Sequence, residues 1–192
     1  LYPLDGGSVQ IGGKDTAEYS LASFRRALGY VTQESVMYAG TIRDNLLHGL
    51  GRVPSDEELD EACAAVGILD YVRRQPMGYD APVGESGASL SGGQRQRFSV
   101  ARALLKKPDC LLLDEATAAM DIGGKAGVWA SIRQVMAGKT VVYVAHDAQT
   151  IRNADYLVVL RDGKVQSAGE RDEVLASDPY CREMMENGEE ER

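Results

Sequence analysis

Two textures alternate along the chain: short runs that are apolar throughout, and longer stretches whose apolar residues recur every three to four positions. Cys110 to Leu113 and Val141 to Ala145 are continuously apolar, with a stretch of helical character, about Gly127 to Met136, between them. Parallel strands covered on both faces and joined by a helical crossover read this way. Upstream, Val9 to Ile11 follows the Asp5-Gly6-Gly7 turn as a short strand. Ser23 to Ala27 makes a helical turn, and Tyr30-Val31-Thr32 is a β-rich run ending at Gln33. The middle predicts helices over Thr41 to Leu47, Ser55 to Val66 and Leu69 to Arg74. Ser55 is followed three residues later by Glu58, a pair that caps a helix start reciprocally. Leu59, Ala62, Cys63 and Val66 then recur at helical spacing. The Gly, Pro and Ser content of Gly78 to Ser89 predicts a loop. Gly92 to Lys106 predicts a helix with Phe98, Ala101, Leu104 and Leu105 on one face, stopped by Pro108. Leu157 to Leu160 and Val165 to Ser167 flank Asp162-Gly163, a hairpin signal, and Glu170 to Ala176 closes as a helix. The tail from Glu183 to Arg192, rich in glutamate, is expected to be frayed and solvated.

The pattern predicts an α/β fold. A core with a parallel sheet is built from two pieces, 1–35 and 107–192, the second ending in a β-hairpin and helix. A mainly helical subdomain, 36–106, is inserted between them.

Composition narrows the classes. The 192 residues, 44% apolar and 26% charged, suit one domain or a core with an insertion. No apolar run approaches the roughly 18 residues that cross a bilayer, so any membrane-spanning part must come from another segment or chain. No signal-peptide pattern opens the chain. A net charge of −8 argues against a nucleic-acid partner, which needs a basic footprint. Cys63, Cys110 and Cys181 lie far apart without CxxC spacing, which suggests neither a disulfide framework nor zinc and fits a reducing compartment.

Four segments carry candidate chemistry. Ser91-Gly92-Gly93-Gln94 opens a helix: unpaired N–H groups and the helix dipole favour an anion there, and the two glycines clear the approach. The plain alternative is an ordinary capped helix. Cys110 to Glu115 is an apolar strand delivering Asp114 and Glu115 at its C-terminal end, where ligands of open α/β sheets bind. Asp114 can hold Mg2+ through water, and Glu115 can orient or deprotonate a water; the plain alternative is an acidic strand end facing solvent. His146 ends a neighbouring-type strand and can donate to developing phosphate charge. Gln33 places a neutral amide at a strand end, where it can ligate Mg2+ or hold water. The other histidine, His48, reads as structural or surface.

Order and spacing of these segments resemble the ATP-binding cassette family across nearly the whole chain. Leu90 to Gln94 matches its signature motif and Leu111 to Glu115 looks like its Walker B strand. Ala118 to Asp121 is similar to its D-loop, His146 to its H-loop and Gln33 to its Q-loop. Thr41 to Leu46 and Val83 to Gly87 resemble exporter-type segments, the latter an X-loop that touches the membrane domain; importer subunits and DNA-repair relatives generally lack it. What this implies is a P-loop ATPase core, partial here, that pairs head to tail with a second nucleotide-binding domain and works with a transmembrane domain at the cytoplasmic face of a membrane. Its ligands would be ATP and Mg2+. Ser91, Gly92, Gly93 and Gln94 would clamp a γ-phosphate bound on the partner, and Glu115 would be the catalytic carboxylate. Asp114 and Gln33 would serve the metal, and His146 would contact the γ-phosphate. Asp121 would communicate across the dimer, and Glu85 would couple to the membrane domain.

Two departures stand out. No GxxxxGK[ST] phosphate loop is present. Gly138-Lys139-Thr140 has Arg133 where the first glycine belongs and leads into a strand instead of following one. Leu1-Tyr2-Pro3 resembles the end of the helix after that loop, so the expectation is a domain cut just inside its N-terminus, inactive alone. The second departure is Asp147, where exporters usually have a basic residue after the histidine. Alternative functions are a non-catalytic nucleotide-sensing or dimerisation module, or a soluble cassette ATPase unconnected with transport; Glu85 and the acidic balance argue against the latter.

Overall fold

The computed structural model describes residues 4–84, 87–117, 120 and 122–190. They form two compact units, Leu1–Val142 and Tyr143–Arg192.

In the first unit, β1 (Gln10–Ile11) and β2 (Lys14–Asp15) form a small antiparallel ribbon. Ser20 caps α1 (Leu21–Ala27) by accepting the Ser23 amide at 3.1 Å, and β3 (Leu28–Val31) follows directly. β4 (Gly40–Thr41) runs into α2 (Ile42–Leu47), whose start is held by reciprocal bonds between Thr41 and Asp44. α3 (Asp56–Ala65) begins with the Ser55–Glu58 capping box that the sequence predicts. After α4 (Leu69–Arg73), β5 (Pro82–Val83) pairs antiparallel with β4. The Gly78 to Ser89 stretch, expected to be a loop, therefore contains a two-residue strand. That strand is too short for alternation to reveal it, and its partner is remote in sequence. α5 (Gly92–Leu105), β6 (Cys110–Asp114), α6 (Ile122–Val135) and β7 (Thr140–Val144) complete the sequence of elements that the apolar pattern outlines.

The sheet order is β3–β6–β7. β3 and β6 are parallel, with Leu28 opposite Cys110 and Val31 opposite Leu113. Gly29 permits this approach: a Cβ there would lie 2.9 Å from both Leu111 Cδ1 and Pro108 Cγ. Side chains of α2, α3 and α5 supply the core, where Leu46, Leu59, Cys63, Val66 and Phe98 are fully buried along with Leu111 of β6. β7 departs from the expectation of cover on both faces. Val142 and Val144 are 52% and 49% exposed. An apolar run records what a strand's faces tolerate, not which element covers them.

The second unit holds α7 (Ala148–Ile151), β8 (Tyr156–Arg161), β9 (Lys164–Glu170), α8 (Arg171–Ser177) and α9 (Pro179–Glu190). β8 and β9 form the predicted hairpin, with a register shift between Val159 and Leu160. Asp162 and Gly163 turn at φ 50° and 72°, the left-handed pair that such a two-residue turn demands. Val159, Val174 and Cys181 form its small core, with Leu157 and Leu175 packed against them. The expected frayed tail is instead helical through Glu190. Asp178 explains its start: the carboxylate accepts the amides of Tyr180 at 3.0 Å and Cys181 at 3.2 Å, and Pro179 occupies the first helical position, where its missing N–H costs nothing. Ser167 Oγ and Gln166 Nε2 donate to the same carboxylate at 2.8 and 2.9 Å, and these bonds, the Ser167 hydroxyl first, hold its pKa below the usual carboxylate value. Among the described residues, no helix is long and apolar enough to cross a membrane.

Candidate functional site

The parallel register of β3 and β6 assembles the site. Val31 lies opposite Leu113, so continuing each strand by two residues sets Gln33 beside Glu115. Gln33 Nε2 donates to Glu115 Oε2 at 2.7 Å. Asp114 is the last residue of β6 and half-buried. Glu115 follows it at φ 48°, in the left-handed region where a non-glycine residue costs about 1–2 kcal/mol. A strained backbone of this kind re-aims a side chain at a strand end.

A second contact to Glu115 is not anticipated from the sequence. Gln96, on α5 and 4% exposed, donates its Nε2 to the Glu115 carbonyl oxygen at 3.2 Å. A signal for it does exist: Gln96 is polar, yet it stands three and four residues before the buried Ser99 and Val100, on a helix whose apolar residues reach round most of its surface.

The glycine-rich helix start is built as expected. Ser91 caps α5: its Oγ accepts the Gln94 amide at 3.2 Å, and Gln94 Oε1 accepts the Ser91 amide at 2.9 Å. Ser91 is exposed, while Gly92 and Gly93 are half-buried. The Gln94 side chain is thus engaged in the cap, leaving the helix-end N–H groups as the anion-attracting feature.

His146 belongs to the second unit, two residues past the end of β7, and is exposed. The unusual Asp147 beside it serves the fold. Its Oδ1 accepts the Thr150 amide at 2.7 Å and caps α7. Asp121 and Glu85 lie outside the described residues.

The oxygen donors suit a hard cation that takes only one or two protein ligands. Asp114 offers a carboxylate, and Gln33 keeps its amide oxygen while Nε2 is engaged with Glu115. Among the described residues, no three of His, Cys, Asp and Glu gather into a closed cage.

His48, read as structural or surface, stacks on Tyr38 with centroids 3.9 Å apart and planes at 23°. The Arg102 guanidinium stands 5.6 Å from the same ring. These residues and Lys106 line a cavity of about 320 Å³ beside β3 and α5. Burial lowers the pKa of both cations, and both are turned onto backbone: Arg102 Nε donates to the Asn45 carbonyl at 2.7 Å, and Lys106 Nζ to that of Leu28 at 3.0 Å.

Comparison with known proteins agrees with this fold. The family profile described as "ABC transporter" matches residues 1–118. The chain is 41% identical over 176 residues to multidrug resistance protein 1 of Entamoeba histolytica, an alignment covering 91% of this chain and 14% of that protein. It is 41% identical over 176 residues to the ATP-dependent lipid A-core flippase of Syntrophus aciditrophicus, covering 92% of this chain and 29% of that one. Among solved structures, it superposes on a bacterial Atm1-family ABC exporter with ATP bound at a TM-score of 0.91 and 36% identity, covering 97% of this chain and 33% of that chain. The chain thus spans 14% to 33% of the length of these proteins.

Proposed function

The chain belongs to the ABC transporter family, and we propose that it binds and hydrolyses MgATP to power export of a substrate across a membrane. The observation that carries this reading is the Gln33–Glu115 hydrogen bond at the C-terminal end of the parallel β3–β6 pair. It joins a neutral amide and the carboxylate of a residue with left-handed backbone at the edge where α/β sheets bind ligands. In this reading Glu115 orients and deprotonates the attacking water. Asp114 and the Gln33 amide oxygen hold the Mg2+, whose charge offsets that of the phosphates. His146 donates to the γ-phosphate, and Asp121 communicates across the dimer.

Ser91, Gly92, Gly93 and Gln94 serve a phosphate held by a second, head-to-tail nucleotide-binding domain; the capped start of α5 supports this, since its N–H groups favour an anion. Glu85 couples the domain to a transmembrane partner, and the chain works at the cytoplasmic face of a membrane. The 192 residues contain no GxxxxGK[ST] stretch. In this reading the cradle for the β- and γ-phosphates lies outside them, and the chain alone turns over little ATP.

ATPase assay of the longer protein that carries this chain, with and without Glu115→Gln, tests the reading. A catalytic carboxylate contributes about 10²–10⁴ in rate. The variant should lose turnover on that scale; equal rates for variant and parent would sink the assignment.

A further inference from the structure

We propose that Gln96 is a positioning residue for Glu115, acting through the backbone and not on substrate. The proposal rests on the reading of Glu115 as the group that activates water.

Glu115 must hold a left-handed conformation, φ 48°, that a glutamate does not favour. The strand fixes the chain up to Asp114, where β6 ends. Beyond it, rotation about the N–Cα bond of Glu115 swings its Cβ and its carbonyl carbon together, so a bond that holds the carbonyl in place also restrains the direction of Cα–Cβ. Gln96 pins that carbonyl at 3.2 Å. Gln33 pins the far end of the same residue, its carboxylate, at 2.7 Å. Glu115 is thus held at both ends, by one amide on α5 and one just past β3.

The Gln96 amide suits this role. It is neutral, so it leaves the carboxylate's charge alone. It sits on α5 with 4% exposure, where Phe98 and Val100 are fully buried and hold the helix in place. A side chain projecting from a packed helix moves little, so the position of the carbonyl is defined by the core and not by solvent. Side chains that support a reactive group in this way affect turnover by controlling its aim.

The experiment uses the longer protein that carries this chain. Gln96→Met keeps length and volume but removes the donor, and Gln96→Glu keeps length but sets an acceptor against the carbonyl. The proposal expects kcat to fall about tenfold for Gln96→Met, the scale of one hydrogen bond lost, and further for Gln96→Glu. KM for MgATP should stay unchanged, because Gln96 touches no substrate. The thermal midpoint is read in parallel. A lowered midpoint with parental kcat well below it would show a merely structural bond and overturn the proposal. So would a raised KM at constant kcat, which would place the effect at the Ser91–Gln94 helix start instead. If the parent protein shows no turnover that depends on Glu115, the functional reading fails, and this proposal falls with it. Parental kcat in Gln96→Met beside a dead Glu115→Gln defeats this proposal alone.

Discussion

Gln33 and Glu115, 82 residues apart in the chain, meet through a 2.7 Å hydrogen bond from amide nitrogen to carboxylate oxygen. The bond arises from a parallel register set by four residue pairs, Leu28 to Val31 against Cys110 to Leu113. It engages one oxygen of the carboxylate and so fixes the direction in which the group points. Replacing Gln33 with leucine keeps the bulk but removes the donor and the amide oxygen together. We expect kcat to fall and the Mg2+ concentration for half-maximal ATPase rate to rise. A Mg2+ titration at saturating ATP checks this, and an unchanged midpoint would remove Gln33 from the metal.

Glu58 ties three segments together. It accepts Arg52 Nη1 and Lys107 Nζ, both at 2.6 Å, and caps α3 through Ser55. Arg52, then Lys107, holds its pKa at about 2 against an ordinary 4.5. Because the folded value is the lower one, the stabilisation is complete above the ordinary value and is lost as pH falls towards 2. The gap in denaturation midpoint between the parent and Glu58→Gln should therefore be constant near neutrality and shrink below about pH 4.5. Midpoints that fall in parallel over that range would contradict it.

Arg102 carries more of the fold than a surface cation does. Its guanidinium donates to the carbonyls of Asn45 at 2.7 Å and Val36 at 3.2 Å, reaches Met37 Sδ at 3.7 Å, and stands over Tyr38. Lysine keeps a charge but not the fork. Arg102→Lys should cost about 1–3 kcal/mol, the penalty of unpaired buried carbonyls, measured by urea unfolding. A loss within error would mean that the carbonyls find other donors.

Asp178 starts α9 and closes the β9 end of the second unit at once. Asp178→Ala should speed hydrogen exchange at the amides of Tyr180 and Cys181 first, since they donate to it directly. Asp178→Asn retains an acceptor oxygen and should give the intermediate rate. Exchange unchanged in the alanine variant would show that packing of Cys181 suffices.

What can be read from the sequence follows the range of each signal. The Ser55–Glu58 cap, the Asp162-Gly163 turn and the helix from Gly92 are local, and each occurs where the residues predict it. Contacts between distant segments are not legible in that way. The β4–β5 pair is two residues long on each side, too short for periodicity. α9 hides in an acidic tail because the glutamates after Glu183 dominate its composition, although its start is a local one, Asp178 capping and Pro179 at the first helical position. In the site, residue types suffice to nominate Gln33, Asp114 and Glu115 together with the Ser91 helix start. Gln96 is marked by spacing only as a polar residue on a buried helix face; the carbonyl it meets, 19 residues on, is what the spacing does not encode.

α5 carries Ser91 at one end and Gln96 within about two turns of it. On the proposed head-to-tail pairing, the first residue answers to a nucleotide on the partner, while the other holds the reactive group of this chain's own site. A single stiff rod then stands under two reaction centres. Turnover at one centre should depend on occupancy of the other, and the ATP dependence of the rate should be sigmoidal, not hyperbolic.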